Sequence, residues 1–162
     1  RDCLLSRGLG DVYKRQHGEK VGVGLVLSSK IYHKAAEKML AEDFKVKDAM
    51  PIEEDLIREK FNKPGMFDII MEENTPNLLE QVDPKKLIEH KEEIAAIINE
   101  IPTSEELIAM INKVEGVKSL EDLGFDESYQ AKTAELSPYV RARITFMRLL
   151  KFYDFYEEVI SC

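Results

Sequence analysis

Helix-starting and helix-ending signals follow one another so closely along residues 17–162 that they are the strongest constraint on the fold. A capping residue followed by proline at a first helical position occurs at Asp83-Pro84 and Ser137-Pro138, and Thr103 with Glu106 matches a capping box. Apolar residues between these signals recur at helical spacing, and no stretch shows sustained strand alternation. The sequence therefore predicts an all-α chain of about eight helices with short connectors.

The sequence predicts the extent of three main helices and, for two of them, the side chains that face the core. The first runs from His17 to about Glu42, and we expect it to bury Val21, Leu25, Ile31, Ala35 and Met39. The helix that opens after Asp83 should turn inward Leu87, Ile88, Ile94, Ile97 and Ile98. The last is predicted to be one long helix from Pro138 to about Val159.

Charge and apolar content limit the partners of this chain. It has 23 Lys and Arg against 31 Asp and Glu, a net charge of −8, so it has no electrostatic reason to bind nucleic acid or an anionic membrane. The apolar run Val21 to Leu27 is far shorter than the roughly 20 residues that span a bilayer. Cys3 and Cys162 lack metal or redox spacing; unpaired thiols are the expectation, and a bridge between the two ends is the alternative. We expect a cytoplasmic protein without membrane insertion.

Residues 1–16 differ from the rest of the chain. The string RDCLLSRGLGDVYKRQ has no clear helical or strand period, and it carries four basic but only two acidic residues in an otherwise acidic sequence. It resembles the translated adapter sequence that contaminates the ends of assembled reads. We therefore treat residues 1–16 as non-native and residues 17–162 as one helical domain, with a genuine N-terminal arm as the alternative.

The motif with the most chemical content opens that domain. A histidine near a helix start can offer a neutral imidazole to a metal, and an adjacent glycine leaves room for a ligand, but a lone histidine is more often a surface or packing residue. The string His17-Gly18-Glu19-Lys20-Val21-Gly22-Val23-Gly24 resembles the histidine-glycine motif of the iron-containing alcohol dehydrogenase superfamily. That superfamily includes glycerol dehydrogenase, glycerol-1-phosphate dehydrogenase and, more distantly, dehydroquinate synthase. The resemblance implies that His17 is the last protein ligand of a catalytic divalent metal.

A second resemblance lies near the C-terminus. The segment from Ser137 to Leu150, which includes Arg141-Ala142-Arg143-Ile144-Thr145, is similar to the arginine-rich helix that ends glycerol-1-phosphate dehydrogenases. Guanidinium groups suit a substrate phosphate because they are always charged and bind it in a bidentate manner. On a helix, Arg141 and Arg143 would point about 200° apart, so both would hardly face one phosphate. Either could instead form a structural salt bridge.

Together the resemblances cover His17 to about Lys151 and imply the helical, metal-binding C-terminal half of a dehydroquinate synthase-like fold. The intact enzyme would interconvert dihydroxyacetone phosphate and sn-glycerol 1-phosphate with NAD or NADP, and zinc, nickel or iron would act as the Lewis acid. The nucleotide-binding domain and the other metal ligands would lie upstream of His17, so the fragment alone should be inactive. A homo-oligomer is an open expectation. Two alternatives remain: a fragment of another polyol dehydrogenase or of dehydroquinate synthase, and a non-enzymatic helical interaction module.

Overall fold

The computed structural model describes the backbone of residues 4–41 and 44–161, and the side chains of these residues from His17 onward. The predictions for Cys3 and Cys162 therefore lie outside the described residues. Within them the chain is all-α, as predicted: helices account for the regular structure, and a single bridge joins Val46 to Tyr153. The α-helices are α1 (Leu4–Leu40), α2 (Glu54–Lys60), α3 (Met66–Asn74), α4 (Pro84–Glu89), α5 (Lys91–Asn99), α6 (Ser104–Asn112), α7 (Tyr129–Leu136), α8 (Phe146–Leu149) and α9 (Tyr156–Ile160).

Helix α1 is the axis of the fold. It already begins at Leu4, so the segment that lacks a clear period in the sequence continues the helix that His17 was expected to start. The α5–α6 hairpin packs along α1. Ser29 Oγ donates to Pro102 O at 2.7 Å and His33 Nε2 lies 3.0 Å from Ile101 O, so two polar side chains of α1 fasten the turn of that hairpin.

The buried face of α1 differs from the predicted one at its N-terminal end. Ile31, Ala35 and Met39 are fully buried, as expected, but Val21 is 48% exposed and Leu25 is 55% exposed. The hairpin covers only one side of this half of the helix, where Val23 and Val26 are buried instead. Periodicity gives the spacing of apolar residues, but not which of two apolar faces meets a neighbouring helix.

The helix predicted to open at Asp83 is in fact two helices. Asp83 caps α4 through its carboxylate, which accepts from Lys85 N at 3.0 Å, and the chain bends at His90 before α5 begins. Because of this bend, Leu87 and Ile98 are buried and Ile94 is partly buried, whereas Ile88 and Ile97 are exposed. The inward assignment of those two isoleucines was wrong. The capping box at Thr103 and Glu106, by contrast, is present as predicted.

The prediction of a single long C-terminal helix was also wrong. A 3-10 turn at Ser137–Val140 is followed by a non-helical loop over residues 141–145, then by α8, by a 3-10 turn at Leu150–Phe152 and by α9. The Arg148 guanidinium occupies the carbonyls of Pro138 and Arg141, which would accept backbone N–H groups in a continuous helix. Further on, Lys47 N donates to Phe152 O and Asp154 N donates to Lys45 O, which holds the chain extended at Tyr153.

Two apolar clusters fill the interior. The larger joins α1 to α5 and to the C-terminal segment, where Phe44, Tyr153 and Phe155 pack their rings within 6 Å of one another. The smaller cluster surrounds Ile57, Ile70 and Tyr139, and it lies between α2, α3 and the 3-10 turn at Ser137–Val140. None of the described helices combines the length and the apolar character that a membrane crossing requires.

Candidate functional site

His17, the predicted metal ligand, lies on the surface of α1. Its side chain is exposed, and the neighbouring Gly18 faces open space, so the imidazole is accessible to a ligand or to another protein segment. It lies inside the helix rather than at its start, because α1 begins thirteen residues earlier. Among the side chains that the structure describes, those of residues 17–41 and 44–161, no three His, Cys, Asp or Glu groups come together in a way that would hold a metal. His17 could thus supply one ligand, but the described residues do not form a complete metal site.

The other two histidines make local contacts. His33 Nε2 is 3.0 Å from the carbonyl oxygen of Ile101, which requires that nitrogen to carry the proton and donate. His90 Nδ1 lies 3.1 Å from a carboxylate oxygen of Glu93, three residues along the chain. Both contacts tie a ring to a neighbouring group in the fold, and neither ring lies near His17 along the chain.

An apolar groove starts about one helical turn after His17. We call it the α1–α7 groove, because α1 contributes one wall and α7 with its flanking residues contributes the other. Its larger part has a volume of about 280 Å³ and is lined by Val21, Gly24, Leu25, Leu27, Ser28, Ile31, Gln130, Thr133, Ala134, Ser137 and Met147. Its walls are nearly all apolar, and they include Val21 and Leu25, which were expected to be buried but are about half exposed.

The groove continues toward His17 in a smaller apolar cavity of about 190 Å³. Here Lys20, Val23, Gly24 and Leu27 of α1 face Leu120, Leu123, Phe125, Tyr129 and Thr133. The rings of Phe125 and Tyr129 are tilted by 49° with centroids 5.5 Å apart, and both remain more than 40% exposed. The glycine at position 24 lines both cavities, so a single apolar surface runs along α1 from Lys20 to Ile31.

Arg141 and Arg143, the predicted phosphate ligands, lie in the exposed loop between the 3-10 turn and α8 rather than on a helix. Arg143 N donates to Arg141 O at 2.8 Å, so the loop turns tightly between them. The 200° separation expected for a helix therefore does not apply. Neither arginine forms a salt bridge with any described residue, which leaves both guanidinium groups facing solvent.

His17 and the arginine loop lie toward opposite ends of α1. Phe146, which follows the loop, packs its ring edge-on against Tyr32 at 4.9 Å. Tyr32 is fifteen residues beyond His17, a rise of about 22 Å along the helix. The structure therefore does not bring His17 together with Arg141 and Arg143 in one small-molecule site.

Sequence reasoning missed Arg148, which is only 3% exposed. One of its terminal nitrogens, Nη2, donates to Asn74 Oδ1 at 2.6 Å, to Arg141 O at 3.1 Å and to the carbonyl of Pro138. Burial lowers the pKa of the guanidinium. An arginine in a predicted surface helix is expected to be exposed. Arg148 lies in the interior because the predicted long helix is interrupted by the loop at residues 141–145.

A network of polar side chains, separate from that of Arg148, joins α2 to the C-terminal segment. Lys151 is 2% exposed, and its ammonium contacts the Glu53 carboxylate and the Tyr139 hydroxyl, the latter at 3.2 Å. The Tyr139 hydroxyl donates to Glu53 Oε2 at 2.7 Å. Burial and the adjacent Glu53 carboxylate raise the pKa of Tyr139, and burial and the same carboxylate raise that of Glu135. Lys151 and Tyr139 are buried in this network, whereas the Glu53 side chain is 26% exposed, so the network joins α2 to the C-terminal segment and reaches solvent only at its acidic end.

Comparison with known proteins leaves the function to be argued from these residues. No protein-family model, curated protein or solved structure matches the chain. The described residues combine an exposed histidine, an apolar groove beside it and a separate arginine loop.

Proposed function

We propose that this chain is the helical half of a metal-dependent, NAD(P)-linked glycerol-1-phosphate dehydrogenase. In this proposal the α1–α7 groove receives the nucleotide-binding domain, and His17 reaches into the cleft between the two halves. The substrate would be a small phosphorylated compound, dihydroxyacetone phosphate or sn-glycerol 1-phosphate. The arginines at 141 and 143 were expected to bind its phosphate, but their distance from His17 favours a different role for them.

The observation that carries this proposal is the exposed apolar surface that begins one turn from His17. A module that works alone should have polar residues on such a surface, whereas a half that has lost its partner domain should expose apolar ones. Val21 and Leu25 occupy helix positions that would be inward in a complete enzyme, and each is about half exposed here. Such a surface is a place where another domain or protein binds, and we assign it to the missing nucleotide-binding domain.

The metal requires more than this chain offers. A catalytic site of this class needs three protein ligands and an open position, and His17 is one accessible nitrogen donor. The remaining ligands would have to come from the partner domain. The fragment alone should therefore bind zinc, nickel or iron weakly and should show no dehydrogenase activity.

The test is to read the source gene upstream of the codon for His17 and to express the whole reading frame. We expect a nucleotide-binding half, and a protein that oxidises NADH or NADPH with dihydroxyacetone phosphate after addition of zinc, nickel or iron. His17→Ala should abolish this activity. His90→Ala, which removes another exposed imidazole, should leave it unchanged.

Three outcomes would count against the proposal. Full activity in the His17→Ala enzyme would remove the metal-ligand role. Turnover of unphosphorylated dihydroxyacetone, or ring closure of a dehydroquinate synthase substrate, in place of turnover of dihydroxyacetone phosphate would indicate one of the sister enzymes. A reading frame that opens directly before Arg1 would favour a helical interaction module.

A further inference from the structure

The buried guanidinium of Arg148 has no counter-ion within the described part of the chain. Its Nη2 bonds go to an amide oxygen and to two backbone carbonyls, all of which are neutral, and its Nε has no hydrogen-bond partner there. The other buried cation, Lys151, is paired with Glu53. Arg148 therefore keeps an uncompensated positive charge, which is costly in the interior of a protein.

The surface above Arg148 adds to this charge. The loop from Val140 to Thr145 is exposed throughout, and it carries Arg141 and Arg143 without a salt bridge to any described residue. Three arginines thus fall within eight residues of a chain whose net charge is −8. Arg148 also holds the loop in place, since the carbonyl of Arg141 is one of its acceptors.

Arginines that have no carboxylate partner are available to bind an oxyanion. Guanidinium groups offer several donors in a fixed plane and are less strongly hydrated than ammonium groups, so they bind phosphate well. A buried charge beneath the loop would strengthen the attraction, because water screens it poorly. The alternative, a purely structural role for all three residues, would leave the two exposed arginines without any function in the fold.

We propose that residues 140–148 form a binding site for a phosphate-bearing anion, in which Arg141 and Arg143 contact the phosphate and Arg148 positions their loop. This site is separate from His17, so it does not depend on the proposed dehydrogenase activity. It would bind a ligand other than the substrate bound at the metal.

The direct test is a titration of this chain with inorganic phosphate, followed through the arginine Nε–H resonances at constant ionic strength. We expect saturable shifts that sulfate reproduces and chloride does not. The double variant R141Q/R143Q should weaken binding at least tenfold. The matched control is K85Q/K86Q, which removes two exposed positive charges from α4 and should bind as the parent does.

Three further variants separate the effect of charge from the effect of folding. Ala142→Glu places a carboxylate between the exposed arginines and should compete with phosphate, whereas Ala142→Gln should not. Arg148→Lys keeps the charge but cannot hold Asn74 and two carbonyls in the same way, so it should weaken phosphate binding even where its unfolding midpoint shows a folded chain. Non-saturable shifts, or equal loss in R141Q/R143Q and K85Q/K86Q, would overturn the proposal.

A free phosphate and a lipid headgroup share this chemistry. Sedimentation with vesicles of phosphatidate in phosphatidylcholine, compared with titration by glycerol phosphate, distinguishes the two sources. Val140 and Ile144 flank the arginines and are about half exposed, so V140S/I144S should weaken vesicle binding only if the source is a lipid. Dependence on Arg141 and Arg143 in either assay supports the site, and its absence from both overturns it.

Discussion

Removing the carboxylate of Glu53 should destabilise this protein more than removing the ammonium of Lys151, although the two groups form one ion pair. The reason is their unequal exposure: the Lys151 side chain is 2% exposed, and that of Glu53 is 26% exposed. Glu53→Ala leaves a charged ammonium in the interior, with the Tyr139 hydroxyl as its hydrogen-bond partner and the Tyr139 and Tyr156 rings nearby, but without a carboxylate in contact. Lys151→Met leaves a carboxylate that water reaches and that still accepts from Tyr139.

The magnitudes follow from that difference. Breaking a buried ion pair so that one charge stays buried costs about 3–5 kcal/mol, which we expect for Glu53→Ala. Leaving a partly solvated group with one remaining hydrogen bond costs about 1–3 kcal/mol, which we expect for Lys151→Met. The double variant should be more stable than the sum of the single changes predicts, because it leaves no unpaired charge behind.

Urea denaturation of the whole chain, followed by circular dichroism at neutral pH, measures all three free energies of unfolding. Asp55→Ala, which removes a carboxylate from the same helix, controls for the change in net charge. Equal losses for Glu53→Ala and Lys151→Met would refute the argument from exposure. Strict additivity in the double variant would show that the two groups do not act as a pair.

Three further predictions concern packing, capping and pH. Met39→Ala should lower the free energy of unfolding by about 2–5 kcal/mol because Met39 is fully buried. Leu25→Ala should change that free energy by about 0.5 kcal/mol or less because Leu25 is 55% exposed. Equal losses of stability in thermal unfolding would contradict the assignment of the groove as open surface. Thr103→Ala should cost about 0.5–2 kcal/mol because its hydroxyl caps α6, and Thr103→Ser should restore most of the loss. Burial, followed by the charge of Glu53, raises the pKa of Glu135, so its contribution to stability is present at low pH and is lost as pH rises through the raised value. Glu135→Gln should therefore be more stable than the parent at neutral pH, with an advantage that disappears as the pH falls below the ordinary glutamate pKa; an advantage independent of pH would contradict this.

Short-range chemistry made several elements predictable. The capping box at Thr103 and the Asp83 cap are as expected because a cap depends on residues within three positions of one another. The break between α3 and the 3-10 turn at Leu78–Gln81 falls near Thr75-Pro76, where proline ends a helix for local reasons. The all-α class follows in the same way from helical periods and the absence of alternation.

Elements that depend on distant residues were not predictable in this way. Val21 and Leu25 satisfy a helical period, yet they are exposed because the α5–α6 hairpin covers the other side of α1. The C-terminal helix ends early because Arg148 takes up the carbonyls of Pro138 and Arg141, and because the chain at Tyr153 pairs with Val46, more than a hundred residues away. The spacing of residue types along the sequence does not show which distant residues will be in contact.

The two candidate sites also differ in how much of each could be predicted from the sequence. His17 is exposed and lies within α1 rather than at a helix start, and its metal role stays a prediction that rests on resemblance. The arginine loop is different: its residues are visible in the sequence, but their geometry is not. By itself the sequence determined the helical class, the caps and the exposed chemistry of single residues, since these arise from interactions within a turn or two. Only the tertiary structure decided which apolar face stayed open and which charges became buried, because burial depends on what the rest of the chain packs against each residue.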